Sequence, residues 1–284
     1  MESLDPTQIQ AALTTQVFGR ELVYLPRTGS TNDVAGKLAA QGAPEGTVVL
    51  ADEQVAGRGR VGRRWLAPPG TCLLLSILFR PDLPPAQAQR LTMLCSLAAA
   101  DAVEQASGLH VDIKWPNDLV VRRKNPKSKI QNPKSGSLIS DRPSRSWRKL
   151  AGVLTETGVV DQSLDFVIVG IGINGNVEPE ALSALAPDAT SVLAEVGRPV
   201  DRVALLVALL SGVERRYGAL RAGASPHREW VGRLATLGQP VTVTTSAGVL
   251  VGVAESVDED GALLLRTPDG RLRRLLAGDV VLAH

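Results

Sequence analysis

The chain has 284 residues, of which 44% are hydrophobic and 21% charged, and its formal net charge is +2. This length suffices for one large or two modest domains, and the composition excludes disordered and fibrous classes. The two cysteines lack metal-type spacing, which favours a reducing compartment over a disulfide framework. No apolar stretch reaches the ~18 residues of a membrane span, and the acidic start of the chain is unlike a signal peptide. We therefore expect a cytoplasmic protein without a membrane partner.

The predicted elements of the first half alternate between helices and strands. Gly42 and Gly108 are typical helix stops, and the alanine-rich stretch before Gly108 has no interior Pro or Gly. In chain order we predict a helix over 7–18, a strand over 21–25, a helix over 31–41, strands over 47–51 and 72–79, a long helix over 84–107, and strands over 111–114 and 119–121.

A basic segment interrupts this pattern at residues 122–149. It contains ten Lys or Arg residues and one Asp, a local charge of +9, which leaves about −7 for the remainder. The segment repeats Asn-Pro-Lys-Ser and has too few hydrophobic residues to offset its ordering entropy. We interpret it as a mobile insertion, with a phosphate-binding or partner-binding arm as the alternative.

The rest of the chain predicts two domains. We expect strands over 151–156 and 165–169, joined by a turn around Gly158, and a long helix over 201–221. From residue 237 the pattern changes to short alternating strands separated by Gly-containing turns, which predicts a small β-barrel. The domains are therefore 1–236, a mixed sheet with packed helices, and 237–284, and the fold class is α+β.

The most informative segment is the arginine loop, residues 56–65, which ends at Trp65. Positions 57–64 hold four arginines and three glycines. Glycine allows the backbone to approach a ligand closely, and the arginine fork suits phosphate or carboxylate. The segment predicts an anion-binding loop, and a solvated basic loop or an RNA contact is the alternative.

Three further motifs carry polar groups. Residues 30–33, Ser-Thr-Asn-Asp, predict a helix N-cap that also offers amides and hydroxyls to a polar ligand. Residues 114–118, Lys-Trp-Pro-Asn-Asp, predict a strand end and turn that aim Lys114 at an anion. Residues 170–175 match GxGxxG without a helix directly behind, so we predict a glycine-rich turn that brings Asn174 to a ligand, not a dinucleotide site. The three histidines show no catalytic or metal-binding spacing.

Together with Gln54 and residues 149–152, Lys-Leu-Ala-Gly, these motifs resemble, in order, those of the biotin protein ligase family over roughly residues 22–284. The resemblance implies a class II synthetase-like catalytic domain and a C-terminal SH3-like barrel. It also implies a reaction in two steps. Biotin and ATP form biotinyl-5′-AMP, and a lysine of a biotin carboxyl carrier protein then takes the biotin. Arginine, lysine and Mg²⁺ would offset the charge that develops on the phosphates.

Site residues follow from the same resemblance, position by position. The implied catalytic residues are Lys114, Arg58 and Arg60. The implied biotin-binding residues are Ser30, Thr31, Asn32, Gln54, Gly57, Arg58, Gly59, Arg60, Lys114 and Gly152. The implied ATP-binding residues are Arg58, Arg60, Arg63, Trp65, Lys114, Asn117 and Asn174.

The chain departs from the family pattern in two places. About 20 residues precede the catalytic region, which is too few for the helix-turn-helix of the regulatory members, so we expect a monofunctional ligase that does not bind DNA. Thr71-Cys72 stands where the family commonly has a Gly-Asn pair, so we expect the floor of the biotin pocket to differ. The alternatives are a lipoate–protein ligase and a nucleic-acid-binding module, and both a monomer and a homodimer stay open.

Overall fold

The computed structural model describes residues 3–122, 147–186 and 188–282, so residues 123–146 of the basic segment lie outside the described part. The helices are α1 (Pro6–Ala12), α2 (Thr31–Ala40), α3 (Gln89–Ser107), α4 (Pro179–Leu185), α5 (Val192–Val196), α6 (Arg202–Arg221) and α7 (His227–Gly232). The strands are β1 (Leu22–Thr28), β2 (Val48–Gln54), β3 (Leu73–Phe79), β4 (Asp112–Lys114), β5 (Asp118–Arg122), β6 (Trp147–Val160), β7 (Ser163–Ile173), β8 (Pro240–Thr245), β9 (Gly248–Val257), β10 (Leu263–Arg266), β11 (Leu272–Leu275) and β12 (Asp279–Leu282). Within the described residues, no helix combines the length and apolarity needed to cross a membrane.

Seven strands form the main sheet, in the order β1-β2-β3-β7-β6-β5-β4. Only β1 and β2 pair in parallel, because α2 connects them as a crossover. Alternate residues of β2 face opposite layers: Val48 and Leu50 pack with α1, α3 and α6, whereas Val49 packs with α2. Every residue of β3 is buried, as its uninterrupted apolar sequence predicts for a strand covered on both faces. The mixed sheet with packed helices is confirmed.

The C-terminal region forms a separate five-stranded antiparallel sheet, in the order β11-β10-β9-β8-β12. Its inner face is apolar and shares one core with the first domain, where Met93 of α3, Trp115 and Trp230 pack against Val241 and Val243. Closure of this sheet into a barrel, and the boundary at residue 236, stay predictions.

Trp115 connects the two regions directly. Its side chain is 1% exposed. Its indole Nε1 donates to the Gly261 carbonyl at 2.8 Å, and its backbone N–H donates to Thr236 Oγ1 at 2.9 Å. The tryptophan of the Lys-Trp-Pro-Asn-Asp motif is thus a core residue that holds the C-terminal sheet beside the end of β4.

Three local predictions were wrong. The first helix ends at Ala12, well before residue 18. Gly158 lies inside β6, and the turn comes instead at Asp161 and Gln162, whose φ values of 48° and 64° suit a two-residue hairpin. Gly170 and Gly172 of the GxGxxG segment lie at the end of β7 and not in a turn, because β3 and β6 pair with them on both sides, whereas Asn174 and Gly175 follow the strand. In both β6 and β7, pairing with neighbouring strands kept the chain extended at glycines that by residue type favour a turn.

Candidate functional site

A first cleft opens above the centre of the main sheet. It lies between the start of α2, the arginine loop and the glycine-rich stretches of β6 and β7. The predicted biotin-binding residues that line it are Ser30, Thr31, Asn32, Gln54, Arg58, Gly59 and Gly152, joined by Trp65, Leu75, Lys149, Val153, Leu154, Gly170, Ile171 and Gly172.

The start of α2 forms one wall of this cleft. Ser30 occupies the N-cap position, but its side chain makes no capping hydrogen bond, so the predicted capping box does not form. Gln54 takes over that role from the end of β2: its Oε1 accepts the Thr31 N–H at 2.7 Å and lies 3.1 Å from Thr31 Oγ1. The helix N-terminus is therefore tied to β2 by a side chain, and Ser30 stays at the cleft.

The Asn32 amide is held from both ends. Ser76, fully buried in β3, donates to Asn32 Oδ1 at 2.6 Å, and Asn32 Nδ2 donates to Glu156 Oε2, also at 2.6 Å. Gly170 leaves the space for this amide, since a Cβ there would lie 3.0 Å from Asn32 Cγ and overlap Oδ1. Sequence reasoning identified Asn32 but missed Ser76 and Glu156, which no local motif marks.

The arginine loop folds back on itself as a short hairpin. The Gly59 N–H donates to the Arg63 carbonyl at 2.7 Å, and the Trp65 N–H donates to the Gly57 carbonyl at 2.9 Å. Gly57 needs to be a glycine, because a Cβ would come 2.8 Å from the Trp65 carbonyl oxygen. Gly57 thus closes the base of the hairpin and does not line either cleft.

Each arginine of the loop has partners within the protein. Arg58 pairs with Asp33 at 2.7 Å and Glu156 at 3.0 Å, and Arg63 pairs with Asp279 at the start of β12. Arg60 donates to Asn117 Oδ1 at 3.3 Å and to the Gly278 carbonyl at 3.5 Å. Arg64 donates to the Val55 carbonyl at 3.2 Å. The protein's own acceptors therefore relieve much of the repulsion expected among four guanidinium groups.

The Trp65 ring packs against the sheet at Gly152 and Gly172. A Cβ on Gly172 would come 2.8 Å from the ring, and one on Gly152 would come 3.2 Å from it. Lys149 Nζ stands 5.6 Å from the ring centroid, within cation–π range. The glycines of β6 and β7 thus make room for an indole ring at the inner end of the first cleft.

A second cleft adjoins the first at Trp65. Gly59, Trp65 and Lys149 line both clefts. Five of the predicted ATP-binding residues line the second cleft, namely Arg60, Arg63, Trp65, Lys114 and Asn117, joined by Arg64, Trp115, Pro116, Asp118, Gly278, Asp279 and Val280. The C-terminal sheet therefore contributes to this part of the site.

Lys149 belongs to the Lys-Leu-Ala-Gly motif but is not among the predicted site residues. It lies at the junction of the clefts, where its ammonium is 2.7 Å from Asp118 Oδ1. Lys114, the predicted catalytic lysine, lines only the second of these clefts. The sequence did not predict that Lys149 lies at the junction of the clefts, because the basic segment separates it from the motif at residues 114–118.

Asn174 lies away from both clefts. Its Nδ2 donates to the Thr190 carbonyl at 2.9 Å, and its Oδ1 is 3.5 Å from Cys72 Sγ. Its backbone N–H donates to the Leu150 carbonyl. Both ends of this amide hold the loop after β7 in place, and Cys72 is buried, with its pKa raised to about 12 by burial.

Residues 24–174 match the biotin/lipoate A/B protein ligase family, and residues 236–283 match the biotin protein ligase C terminal domain. A bifunctional ligase/repressor BirA from Bacillus subtilis is 33% identical over 98% of this chain and 79% of its own length. A biotin–[acetyl-CoA-carboxylase] ligase from Mycobacterium tuberculosis is 31% identical over 99% of this chain and 97% of its own.

Among solved structures, biotin protein ligase from Aquifex aeolicus in complex with biotin and ATP superposes with a TM-score of 0.69 at 25% identity. The superposition covers 93% of this chain and 99% of that one. The two collinear domain matches, the relatives aligned over nearly all of this chain and the shared fold agree with the motifs that meet at the two clefts. The chain belongs to the biotin/lipoate A/B protein ligase family and is an enzyme of the biotin protein ligase type.

Proposed function

We propose that this chain activates biotin with ATP as biotinyl-5′-AMP and transfers the biotin to a lysine of a biotin carboxyl carrier protein. The observation that carries the proposal is the continuity of the two clefts at Trp65 and Lys149. A ligand in the first cleft would place one end beside a nucleotide in the second. The match to the C-terminal domain of biotin protein ligases supports biotin over lipoate.

The first cleft suits the polar head of biotin. Hydroxyl and amide groups of Ser30, Thr31 and Asn32 line its wall, and those of Thr31 and Asn32 are oriented by hydrogen bonds before any ligand enters. The carboxylate end would then point toward Lys149, whose ammonium favours an anion. Fixed donors of this kind lose little conformational entropy on binding.

Activation needs positive charge at the junction. The biotin carboxylate attacks the α-phosphorus of ATP, a P–O bond forms, and the bond to the pyrophosphate oxygen breaks, so pyrophosphate leaves. Lys149 lines both clefts, Arg58 lines the first and Arg60 lines the second, and these cations would stabilise the charge on the α-phosphate. Lys114, on the second cleft, stays the predicted catalytic contact to the nucleotide.

Transfer uses the adenylate as an activated acyl donor. The amine of the carrier lysine attacks the acyl carbon, the bond to the phosphate oxygen breaks, and AMP leaves while the amine loses its proton. The arginine loop lines the first cleft through Arg58, Gly59 and Trp65, and it would shield the mixed anhydride from water until the carrier arrives.

Mg²⁺ would enter with ATP. Mg²⁺ is usually held by one or two carboxylates together with substrate phosphates. Asp118 lines the second cleft, where Lys149 pairs with it, and no cluster of three candidate metal ligands occurs in the described ranges. These residues fit a metal that is coordinated mainly by the phosphates. The metal would neutralise the negative charge of the phosphates. The carrier protein, the absence of DNA binding, a cytoplasmic location and the choice between monomer and homodimer stay predictions.

ATP–pyrophosphate exchange measured with biotin, with lipoate and with neither tests the function. Exchange that depends on biotin alone supports the proposal, whereas lipoate-dependent exchange, or none, contradicts it. Lys149→Ala and Lys114→Ala should each reduce exchange by at least about tenfold if each contacts the developing charge. Lys37→Ala is the matched control, since Lys37 is exposed on the last turn of α2 and lines neither cleft.

A further inference from the structure

Glu156 connects the two sides of the first cleft through a single oxygen. Its Oε2 accepts from Asn32 Nδ2 at 2.6 Å and from Arg58 Nη2 at 3.0 Å. Asn32 belongs to the wall formed by α2, and Arg58 belongs to the arginine loop. Glu156 lies on β6 and is not among the residues that line the cleft.

The contact with Asn32 sets the direction of the amide. A carboxylate only accepts hydrogen bonds, so it selects the amide orientation in which Nδ2 points to Glu156. Oδ1 then accepts from Ser76 on the other side. A flipped amide would place two oxygens against each other at Glu156, so the donor–acceptor pattern at this wall depends on the charge of Glu156.

The contact with Arg58 is shared with Asp33, which lies 2.7 Å from the same Nη2. The three side chains are 38–48% exposed, so each ion pair alone is weak. Among the described residues Asp33 forms an ion pair with Arg58 only, whereas Glu156 contacts both Arg58 and Asn32. This difference separates the two carboxylates experimentally.

We propose that Glu156 is a positioning residue that couples closure of the arginine loop to the orientation of Asn32 in the biotin-binding wall. The proposal rests on the proposed function and extends it to a residue behind the binding surface. When the loop closes, Arg58 and Asn32 share one acceptor, so binding at the wall and closure of the loop reinforce each other. Asp33 assists closure without affecting the wall.

The test compares Glu156→Gln with Asp33→Asn in biotin-dependent ATP–pyrophosphate exchange. Glu156→Gln should raise the KM for biotin about three- to tenfold, with a much smaller change in kcat or in the KM for ATP. Asp33→Asn should raise the KM for biotin by less than about twofold, because Asn32 keeps both its partners. Glu255→Gln is the matched control, since Glu255 pairs with Arg266 on the C-terminal sheet.

Limited trypsin digestion tests loop closure without requiring activity. Cleavage after Arg58 and Arg60, identified by fragment mass, should become faster in both Glu156→Gln and Asp33→Asn and stay unchanged in Glu255→Gln. Equal effects of the two variants on the KM for biotin would overturn the coupling, because Glu156 would then act only as a counter-ion of Arg58. A fall in kcat and melting temperature at unchanged KM would also overturn it, since that pattern indicates a merely structural role.

The two readouts keep this proposal distinct from the proposed function. Absence of biotin-dependent exchange in the wild-type chain would contradict the function and leave the tryptic comparison valid. Biotin-dependent exchange in the wild type, with Glu156→Gln indistinguishable from Glu255→Gln in both assays, would contradict the role of Glu156 alone.

Discussion

Adding one methyl group at Gly170 should disable the biotin-binding wall. A Cβ at this position would lie 3.0 Å from Asn32 Cγ and 3.1 Å from Nδ2, and would overlap Oδ1. Non-bonded carbon atoms prefer ~3.5–4.0 Å, so the amide must retreat by roughly 0.5–1 Å. Asn32 is 5% exposed and held at 2.6 Å by both Ser76 and Glu156, so that retreat stretches two hydrogen bonds.

The size of the effect follows from those two bonds. A bond to a neutral group contributes ~0.5–1.5 kcal/mol and one to a charged group ~1.5–3 kcal/mol, so Gly170→Ala should lower the free energy of unfolding by about 2–4 kcal/mol. The KM for biotin should rise by at least about tenfold, because a 1.36 kcal/mol loss of binding is a factor of ten.

Urea denaturation and biotin-dependent ATP–pyrophosphate exchange measure the two effects. Gly36→Ala is the control: Gly36 lies in α2 itself, where an added Cβ would meet only Ile168 Cδ1 at 3.6 Å. That variant should keep a normal KM for biotin. Wild-type stability and KM in Gly170→Ala would refute the reasoning that Asn32 is immobile in this wall.

Three further predictions concern stability. Burial raises the pKa of Asp52, but hydrogen bonds from Tyr24 and Arg202 outweigh it and hold the pKa below its ordinary value. Ionised Asp52 thus stabilises the fold above about pH 4, and this stabilisation is lost as the pH falls through the folded-state pKa. In urea denaturation, the loss of unfolding free energy caused by Asp52→Asn should therefore be largest at pH 7 and should shrink below pH 4. Trp115→Ala should lower the free energy of unfolding by about 3–5 kcal/mol, whereas a loss under 1 kcal/mol would contradict its place in the shared core. Gly218→Ala should raise the free energy of unfolding by about 1 kcal/mol, because this exposed position in α6 has space for a Cβ. A lower melting temperature in this variant would contradict the prediction.

Local sequence signals predicted most of the elements and marked most of the residues that line the two clefts. The apolar run of β3, the helix-stopping Gly108 and the alternating strands after residue 237 were readable because each depends on periodicity or on one residue's backbone preference. The collinear motifs predicted which residues meet, and most of those residues line two contiguous clefts. The sequence shows directly that these motifs supply cationic, hydroxyl and amide groups, because that depends only on residue type.

Tertiary structure decided what depends on pairing between distant segments. Gly158 and Gly170 are turn-forming residues by type, yet both lie within strands because the β6–β7 ladder extends past them. Glu156 and Ser76 have no local motif, and only folding brings them to Asn32. Lys149 reaches the junction of the clefts because β6 pairs with β5 and β7 at the centre of the site. The sequence shows which side chains are available. The packing of the sheet decides that Asn32 and Arg58 share Glu156 as an acceptor and that Lys149 lines both clefts.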